Sequence, residues 1–389
     1  MQKKPVLLQV LPSLVAGGVE RGTVDIARAA ANQGFVSLVA SAGGRMEKEI
    51  MAAGAQHIAL PLLGRGPLTI WRNISRLQQV IKDHKVDIIH ARSRAPAWSA
   101  LYAAKQENIH FMTTFHGTHS TKGPGKKYYN SVMARGEKVI AVSQHIANHI
   151  RDTYGEIAVA AGDISQRLEI IYRGVDMNLF NPSIISDEQK EHFRLMWDLQ
   201  ENWPVIFLPG RFTRWKGQDF LLQGLAELRQ KQKDPFYCVM AGDATKHPTF
   251  VAEIRAMADS LGLTEFLRIV EPVSDMAAAY ALSTVAVTAS VRPEAFGRIA
   301  VEAQAMGTPL VATDIGGSCE TVLPGKTGWR VAVGDNVALA EALGEALQVG
   351  MAADAREYYA AVARQHVADN FSLDIMAEKT IAIYQSLLQ

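Results

Sequence analysis

Residues 6–40, VLLQVLPSLVAGGVERGTVDIARAAANQGFVSLVA, contain the pattern from which the fold class is predicted. A mostly apolar run at Val6–Leu11 leads through a turn with two glycines into a segment of helical period at Val19–Gln33. A second apolar run follows at Phe35–Ala40. Apolar runs of this kind, joined by amphipathic helices, predict parallel strands that are buried on both faces. The stretch therefore predicts a strand–helix–strand unit.

The same rhythm recurs along the chain and predicts an α/β protein with two doubly wound parallel sheets, each binding its ligand at the carboxyl ends of its strands. The turn-rich segment after Gly174 predicts a linker, and the tail Leu373–Leu388 predicts an amphipathic helix. Further helices are expected at Thr69–His84 and Ser143–Tyr154. Further strands are expected at Val86–His90, Phe111–Phe115, Lys138–Val142, Leu168–Ile171, Val205–Leu208, Phe236–Ala241, Phe266–Val270, Val285–Thr288 and Leu310–Ala312.

Length and composition fit two globular domains. The chain has 389 residues, 48% of them apolar and 20% charged, which excludes a disordered protein and exceeds what one core usually uses. No run of about 18 consecutive apolar residues occurs, so the sequence does not support a membrane span. Two distant cysteines, Cys238 and Cys319, offer neither a disulfide framework nor a metal cluster, and favour a reducing, cytoplasmic location.

Charge is divided unevenly between the two halves. The net charge is +1, but residues before Phe180 include 22 Lys and Arg against 13 Asp and Glu, whereas the rest include 18 against 26. The halves therefore carry +9 and −8. A basic first half suits a phosphorylated substrate, an anionic membrane surface or nucleic acid, and the alternative is a solvated face without a partner. No nucleic-acid-binding motif accompanies the charge, so nucleic acid is not expected.

Two motifs are suited to binding phosphate. Gly17 and Gly18 lie where the first strand gives way to a helix, and free backbone N–H groups and the helix dipole favour an anion there. The stretch has neither the G-x-G-x-x-G fingerprint nor the G-x-x-x-x-G-K-[ST] phosphate loop. Arg211 and Lys216 follow a later strand, and two cations at a strand end suit a diphosphate. The alternatives are a structural turn and a pair of exposed surface cations.

Two carboxylates frame a helix that follows the strand at Val285–Thr288. Glu294 lies in the loop, and Glu302 lies about two turns into the helix, whose first turn is expected to contain Gly297. Carboxylates accept hydrogen bonds from sugar hydroxyls, whereas a helix N-terminus favours phosphate. For Glu302 the alternative is a solvated helix face.

His116 and two arginines end neighbouring strands of the first half. His116 can hydrogen-bond a hydroxyl or move a proton, unless it is a core histidine. Arg92 and Arg94 follow the preceding strand, with a solvated loop as the alternative. The chain has no Asp-x-Asp pair to hold a divalent ion against a diphosphate and no G-x-S-x-G nucleophile motif. We therefore expect no metal and no cofactor.

The order of these motifs resembles that of the family 4 retaining glycosyltransferases over nearly the whole chain. It runs from the Gly-Gly turn through His116-Gly117 and the midpoint Arg173-Gly-Val-Asp to Gly210-Arg211, Lys216-Gly217 and the two glutamates around Phe296-Gly297. The resemblance implies the GT-B fold: two Rossmann-like domains with the nucleotide sugar in the cleft, and a C-terminal helix that crosses back onto the first domain. The domains would be residues 1–183 with 372–389, and residues 184–371.

The resemblance also implies a role for each motif. His116 and Glu294 would be the catalytic positions, with His116 beside the reacting sugar and Glu294 holding it. Arg211 and Lys216 would bind the donor diphosphate, and Glu302 the ribose hydroxyls. The other donor-binding positions would be Gly17 and Gly18, which close over the phosphates, and the N–H groups of Phe296 and Gly297.

Arg173 departs from the family pattern, which usually has Asn before the midpoint Gly-Val-Asp. With Arg92 and Arg94, this extra cation forms a set that we assign to the acceptor or the cleft. The stretches HARSRAPAW, NSVMARGEKVIA and YRGVD are similar to the branch that builds lipopolysaccharide core, often as mannosyl- or glucosyltransferases.

We therefore expect a metal-independent hexosyltransferase that moves a hexose from a UDP- or GDP-sugar to a hydroxyl of a lipid-linked or glycan acceptor with retention of configuration. It would work in the cytoplasm, with peripheral contact to the anionic inner face of the cytoplasmic membrane. Three alternatives stay open: a nucleotide-sugar epimerase, a nucleotide-sugar-binding protein without transfer, and an NAD-dependent dehydrogenase. The missing G-x-G-x-x-G disfavours the last.

Overall fold

The computed structural model describes residues 3–15, 17–157 and 162–389, and it divides into two compact units. The N-terminal unit comprises residues 1–174 and 373–389, and the C-terminal unit comprises residues 175–372. The division falls at the start of the predicted linker, before the predicted domain boundary at residue 183. Ala16, inside the glycine turn, lies outside the described residues.

The N-terminal unit contains a parallel sheet with helices in its crossovers. Its strands are β1 (Val6–Val10), β2 (Val36–Ser41), β3 (Gln56–Ala59), β4 (Ile88–Ala91), β5 (His110–Phe115), β6 (Lys138–Ala141) and β7 (Leu168–Ile170). Its helices up to residue 174 are α1 (Gly18–Asn32), α2 (Glu47–Ala52), α3 (Pro67–His84), α4 (Arg94–Glu107), α5 (Lys126–Asn130), α6 (Gln144–Tyr154) and α7 (Ile164–Arg167). The strand order is β3-β2-β1-β4-β5-β6-β7.

The C-terminal unit repeats the architecture. Its strands are β8 (Val205–Pro209), β9 (Tyr237–Ala241), β10 (Leu267–Val270), β11 (Val285–Thr288), β12 (Leu310–Thr313) and β13 (Trp329–Val331). Its helices are α8 (Asp187–Met196), α9 (Gln218–Lys231), α10 (Pro248–Ser260), α11 (Met276–Leu282), α12 (Arg298–Ala305), α13 (Ser318–Thr321), α14 (Asn336–Met351) and α15 (Ala353–Asn370). The order β10-β9-β8-β11-β12-β13 is the Rossmann order, and both predicted parallel sheets are confirmed.

The burial of the strand residues explains which strands could be predicted from the sequence. The central strands β1 and β8 are buried at every position, because helices cover both faces of each sheet, and such strands are mostly apolar. The edge strands β3 and β13 were not predicted. Strand β3 has no fully buried residue and β13 has only three residues, so neither produces an apolar run.

The last helix, α16 (Leu373–Leu387), completes the N-terminal unit, as the resemblance implies. Its residues Ile381 and Tyr384 join the apolar core formed with strands β1, β4, β5 and β6. The Tyr384 hydroxyl shares a hydrogen bond of 2.7 Å with Nδ1 of His90, and Nε2 of His90 shares one of 2.8 Å with the Thr114 hydroxyl. A polar chain therefore fixes α16 to two central strands.

Candidate functional site

In the C-terminal unit, the loops after β8 and β11 approach each other closely. Gly217 has a left-handed backbone (φ 68°), and a Cβ at this position would lie 1.9 Å from the carbonyl oxygen of Ala289, so only glycine fits. Trp215 donates from Nε1 to the carbonyl of Arg292 at 2.9 Å, and Val291 N–H donates to the carbonyl of Trp215 at 2.8 Å. These contacts hold the two loops together.

This approach pairs two of the predicted site residues. Lys216 Nζ donates to Oε1 of Glu294 at 2.6 Å, and the Ser290 hydroxyl donates to the same oxygen. Both charged side chains are 16% exposed, so the pair is mostly shielded from water. The backbone of Glu294 is fixed as well, because its carbonyl accepts from Gly317 N–H at 2.9 Å. Sequence reasoning predicted Lys216 and Glu294 separately and missed Ser290, which no motif marks.

Arg211 and the start of α12 lie at the same edge of this sheet. Arg211 is exposed, and its carbonyl accepts from Nε2 of the buried Gln218 at 2.9 Å. Gly297 precedes α12 with a left-handed backbone (φ 85°), so the prediction that the first turn of the helix contains this glycine is wrong by one position. A left-handed residue cannot continue a right-handed helix, and Gly297 caps it instead. Phe296 is buried and contacts Phe371 edge-on.

Glu302 is buried rather than on a solvated helix face. Arg298 donates to its Oε1, and the Tyr280 hydroxyl donates to Oε2 at 3.3 Å. Burial, together with the neighbouring Glu302 charge, raises the pKa of Tyr280 well above its ordinary value, so this phenol stays a donor. The carboxylate therefore has partners on both oxygens and keeps lone pairs for further hydroxyls.

A separate cavity of about 680 Å³ lies between α8 and the loop after β10. Phe193 of α8 and Trp197, which follows this helix, contribute apolar lining, and Glu188, Glu271 and Asp275 contribute carboxylates. Its size suits a small molecule, but its acidic lining disfavours a diphosphate. The Arg211–Lys216 loop is therefore better suited than this cavity to bind a diphosphate.

In the N-terminal unit, three predicted positions come together at the start of α1. Gly17 has a positive φ (136°) immediately before the helix. A Cβ on Gly18 would lie 2.5 Å from Nη1 of Arg173, and the Arg173 guanidinium donates to the carbonyl of Gly18. The cation that departs from the family pattern therefore lies against the glycine turn.

His116 and Arg92 lie at the same place, at the carboxyl ends of β5 and β4. Both ring nitrogens of His116 are buried without a hydrogen-bond partner among the described residues. Burial, followed by the charges of Arg92 and Arg173, lowers the pKa of His116 well below 6.5, so the imidazole is neutral at pH 7. Arg92 is 5% exposed, and burial lowers its pKa as well.

Arg94 does not join this group. Its Nη1 donates to Oδ1 of Asn130 at 2.7 Å, and the residues that line the cavity at Arg92, Arg173 and His116 do not include it. The sequence also missed the His90–Tyr384 contact, because the two residues are 294 positions apart and neither belongs to a motif. Among the described residues, no cluster of three His, Cys, Asp or Glu side chains could hold a metal ion, and no helix is long and apolar enough to cross a membrane.

Known proteins are similar to this chain in sequence and fold. The family model for glycosyl transferases group 1 matches residues 189–366, and the model for glycosyltransferase family 4 matches residues 16–179. A glycosyltransferase from Rickettsia africae ESF-5 is 36% identical, with a TM-score of 0.89 over 99% of both chains. The D-inositol 3-phosphate glycosyltransferase of Jonesia denitrificans is 29% identical over 77% of this chain and 71% of its own.

A third relative has been solved with ligands. Anabaena HepE, in complex with UDP and glucose, has a TM-score of 0.79 at 21% identity, over 98% of this chain and all of its own (100%). Together with the two sheets, these matches define a glycosyltransferase of the GT-B type. The chain belongs to glycosyltransferase family 4.

Proposed function

We propose that this glycosyltransferase moves a hexose from a UDP- or GDP-sugar to a hydroxyl of a lipid-linked or glycan acceptor, with retention of configuration and without a metal ion. The Lys216–Glu294 pair carries the proposal. It puts a cation suited to diphosphate, in the loop after β8, within 2.6 Å of a carboxylate suited to sugar hydroxyls, in the loop that leads to the N-terminus of α12. Arg211 adds a bidentate anion ligand at the same edge.

The residues of this site bind charge and hydroxyls rather than attack carbon. In the proposed reaction Arg211 and Lys216 hold the departing diphosphate, and Glu294 with the N–H groups of Phe296 and Gly297 orients the sugar. The acceptor oxygen bonds to the sugar carbon as the bond to the diphosphate breaks. The diphosphate takes the acceptor proton on the same face, so no enzyme nucleophile is required. Glu302 would accept the ribose hydroxyls.

His116 would act as a neutral hydrogen-bonding group beside the reacting sugar. Its lowered pKa makes it a poor cation at pH 7, and its two unpartnered nitrogens give one donor and one acceptor for hydroxyls. The UDP and glucose bound by Anabaena HepE support the donor class, and the name of the Jonesia relative supports an acceptor that carries phosphate. The stretches HARSRAPAW and YRGVD support a lipopolysaccharide core acceptor.

A surface of the N-terminal unit supports contact with an anionic membrane, at the cytoplasmic face. Leu68 and Trp71 on α3 are 58% and 66% exposed, and Tyr128 on α5 is 56% exposed beside Lys126 and Lys127. Neither residues 63–82 nor residues 108–136 contain an acidic residue. We call these five side chains the basic aromatic surface. Exposed aromatics with lysines suit the interface of anionic lipid.

Contacts with α4 join the two parts of this surface. Trp98 of α4 stacks on Tyr128 with ring centroids 5.5 Å apart, and Ser99, the next residue, donates to the carbonyl of Ile70 in α3 at 2.9 Å. Helices α3 and α5 are therefore both fixed to α4, within the same unit.

A thermal-shift screen tests the donor class. UDP or GDP should raise the melting temperature of the full chain by mass action, whereas NAD should not. Lys216→Ala should reduce the shift, and Lys231→Ala, which removes an exposed ion pair with Glu341, should leave it unchanged. If neither UDP nor GDP shifts the wild-type protein, the proposed donor class is wrong.

A further inference from the structure

The Ser290 side chain lies beside the Lys216–Glu294 pair of the C-terminal unit. Ser290 follows strand β11 by two residues and is 2% exposed. Its hydroxyl donates to Oε1 of Glu294, the oxygen that also accepts from Lys216 Nζ at 2.6 Å. Among the described residues, no hydrogen bond reaches Oε2 of this carboxylate. One oxygen of Glu294 therefore has two donors, and the other is left for a ligand.

The sheet holds the Ser290 hydroxyl in place. Thr313, the last residue of β12, is buried, and its hydroxyl donates to the carbonyl of Ser290 at 2.7 Å. Strand β12 pairs in parallel with β11, with Ala312 opposite Thr288. Since both strands are buried at every position, the end of β11 has little freedom to move. Ser290 therefore presents a fixed donor to Glu294.

The backbone of Glu294 is fixed as well, but its carboxylate needs a further constraint. A Cβ on Gly316 would lie 2.6 Å from the carbonyl oxygen of Glu294, so the backbones of these two loops are in close contact. The last torsion of a glutamate side chain has no sharply preferred angle. Lysine is a point charge on a flexible stem, so Lys216 alone does not determine how the carboxylate is rotated.

A second donor on Oε1 removes this freedom. Without it, the ammonium of Lys216 can lie between the two carboxylate oxygens and occupy both. With Ser290 on Oε1, the carboxylate keeps Oε2 for a hydroxyl, and Lys216 keeps N–H groups for an anion. The side chains of Lys216 and Glu294 are both 16% exposed, so water competes little for these positions.

We propose that Ser290 is a positioning residue for the transferred hexose, because its hydroxyl sets the rotation of the Glu294 carboxylate and directs Oε2 to a sugar hydroxyl. This role rests on the proposed function, in which Glu294 holds the hexose. Ser290 acts through Glu294 and does not touch the donor. Its removal should therefore affect the recognition of the hexose and not that of the nucleotide, which Arg211 and Lys216 hold by the diphosphate.

Isothermal titration calorimetry on the full chain compares UDP with UDP-glucose and GDP with GDP-mannose. Ser290→Ala should weaken binding of the nucleotide sugar ~3-fold, as expected for one net hydrogen bond, and leave binding of the nucleoside diphosphate unchanged. Ser283→Ala is the matched control. The Ser283 hydroxyl is also buried and donates to the carbonyl of Ala279 at 2.7 Å, so its loss should leave both affinities unchanged.

Glu294→Ala separates positioning from a structural role of Ser290. In this background Ser290→Ala should cause no further change in the affinity for the nucleotide sugar, because no carboxylate remains to be positioned.

The outcomes distinguish the role of Ser290 from that of Glu294. If Glu294→Ala binds the nucleotide sugar as wild type does, or if wild type binds none of the four ligands, the proposed function is wrong at this site and the role of Ser290 falls with it. If Glu294→Ala weakens this binding but Ser290→Ala does not, the role of Ser290 alone is overturned. Equal losses of nucleotide and nucleotide-sugar binding in Ser290→Ala, or losses that add in the double variant, would also overturn it.

Discussion

In the C-terminal unit, the proposed binding of the donor depends on the contact between Lys216 and Glu294. The ammonium is held by a carboxylate at 2.6 Å and keeps two further N–H donors for an anion. The pair could not be read from the sequence, because it exists only where Gly217 lets the loop after β8 approach Ala289. The sequence did predict that both residues lie near strand ends, because the apolar runs show where the strands end.

Removing Lys216 should weaken donor binding more than it slows the chemical step. In Lys216→Ala the diphosphate loses a charge-assisted hydrogen bond, so donor KM should rise ~10-fold or more, while Glu294→Gln should mainly lower kcat. Steady-state kinetics with saturating acceptor measure both. Lys231→Ala should have the wild-type donor KM. If Lys216→Ala has the same donor KM as this control, Lys216 does not bind the donor.

The buried neutral histidine predicts a pH effect on stability. The unfolded His116 takes up a proton near pH 6.5 and the folded one does not, because its pKa is lowered. The free energy of unfolding should therefore fall as pH decreases from 7 to 5. His116→Asn should reduce this fall by up to ~1.4 kcal/mol per pH unit.

Urea unfolding at pH 7 and pH 5 measures the histidine effect. His247→Asn serves as the matched control, because it makes the same substitution at an exposed histidine. If His116→Asn leaves the pH dependence as it is in wild type, the imidazole is not held neutral.

At the scale of elements, α16 shows what a sequence pattern reveals and what it leaves open. Its amphipathic period predicts a helix that needs a partner surface, and the partner proves to be the core around β1 and β4. The hydrogen bond from Tyr384 to His90 was not predictable, because residues far apart in the chain carry no local signal of contact. The edge strands β3 and β13 were missed because β3 has no fully buried residue and β13 has only three residues, so neither produces an apolar run.

Loss of the Tyr384 hydroxyl should destabilise the N-terminal unit. Tyr384→Phe leaves Nδ1 of the fully buried His90 without its partner, at a cost of about 1–3 kcal/mol. Denaturant unfolding followed by circular dichroism measures the change. Tyr358→Phe, on a side chain that is 75% exposed, should cost nothing measurable. Equal stability of the two variants would show that the chain from Tyr384 to Thr114 does not fix α16.

In the whole molecule, the charges of the +9 and −8 halves can be assigned to particular groups of side chains. The C-terminal unit carries the carboxylates Glu294 and Glu302, and the N-terminal unit carries the basic aromatic surface and the arginines Arg92 and Arg173. Charge counts predicted the sign of each half but not where its charges gather, because that depends on how the helices pack.

Membrane contact should depend on this surface and on lipid charge. Trp71→Ser with Lys126→Glu and Lys127→Glu should lower binding to anionic vesicles ~30-fold or more, since each of the two lysines near the surface contributes about 1 kcal/mol. Co-sedimentation at low salt measures binding. Tyr358→Ser is the control, because this exposed side chain lies on the C-terminal unit. If the wild-type protein binds anionic and neutral vesicles equally well, the basic charge of the first half is a solvated face without a membrane partner.

The proposed reaction is retaining transfer of a hexose from a nucleotide sugar. The most direct measurement incubates the chain with UDP-glucose or GDP-mannose, with and without a glycolipid acceptor and with EDTA present, and determines the anomeric configuration of the product by NMR. We expect release of the nucleoside diphosphate only with acceptor, unaffected by EDTA, and an α-linked product from these α-linked donors. A β-linked product would exclude a retaining transferase, and interconversion of the nucleotide sugar without acceptor would indicate an epimerase instead.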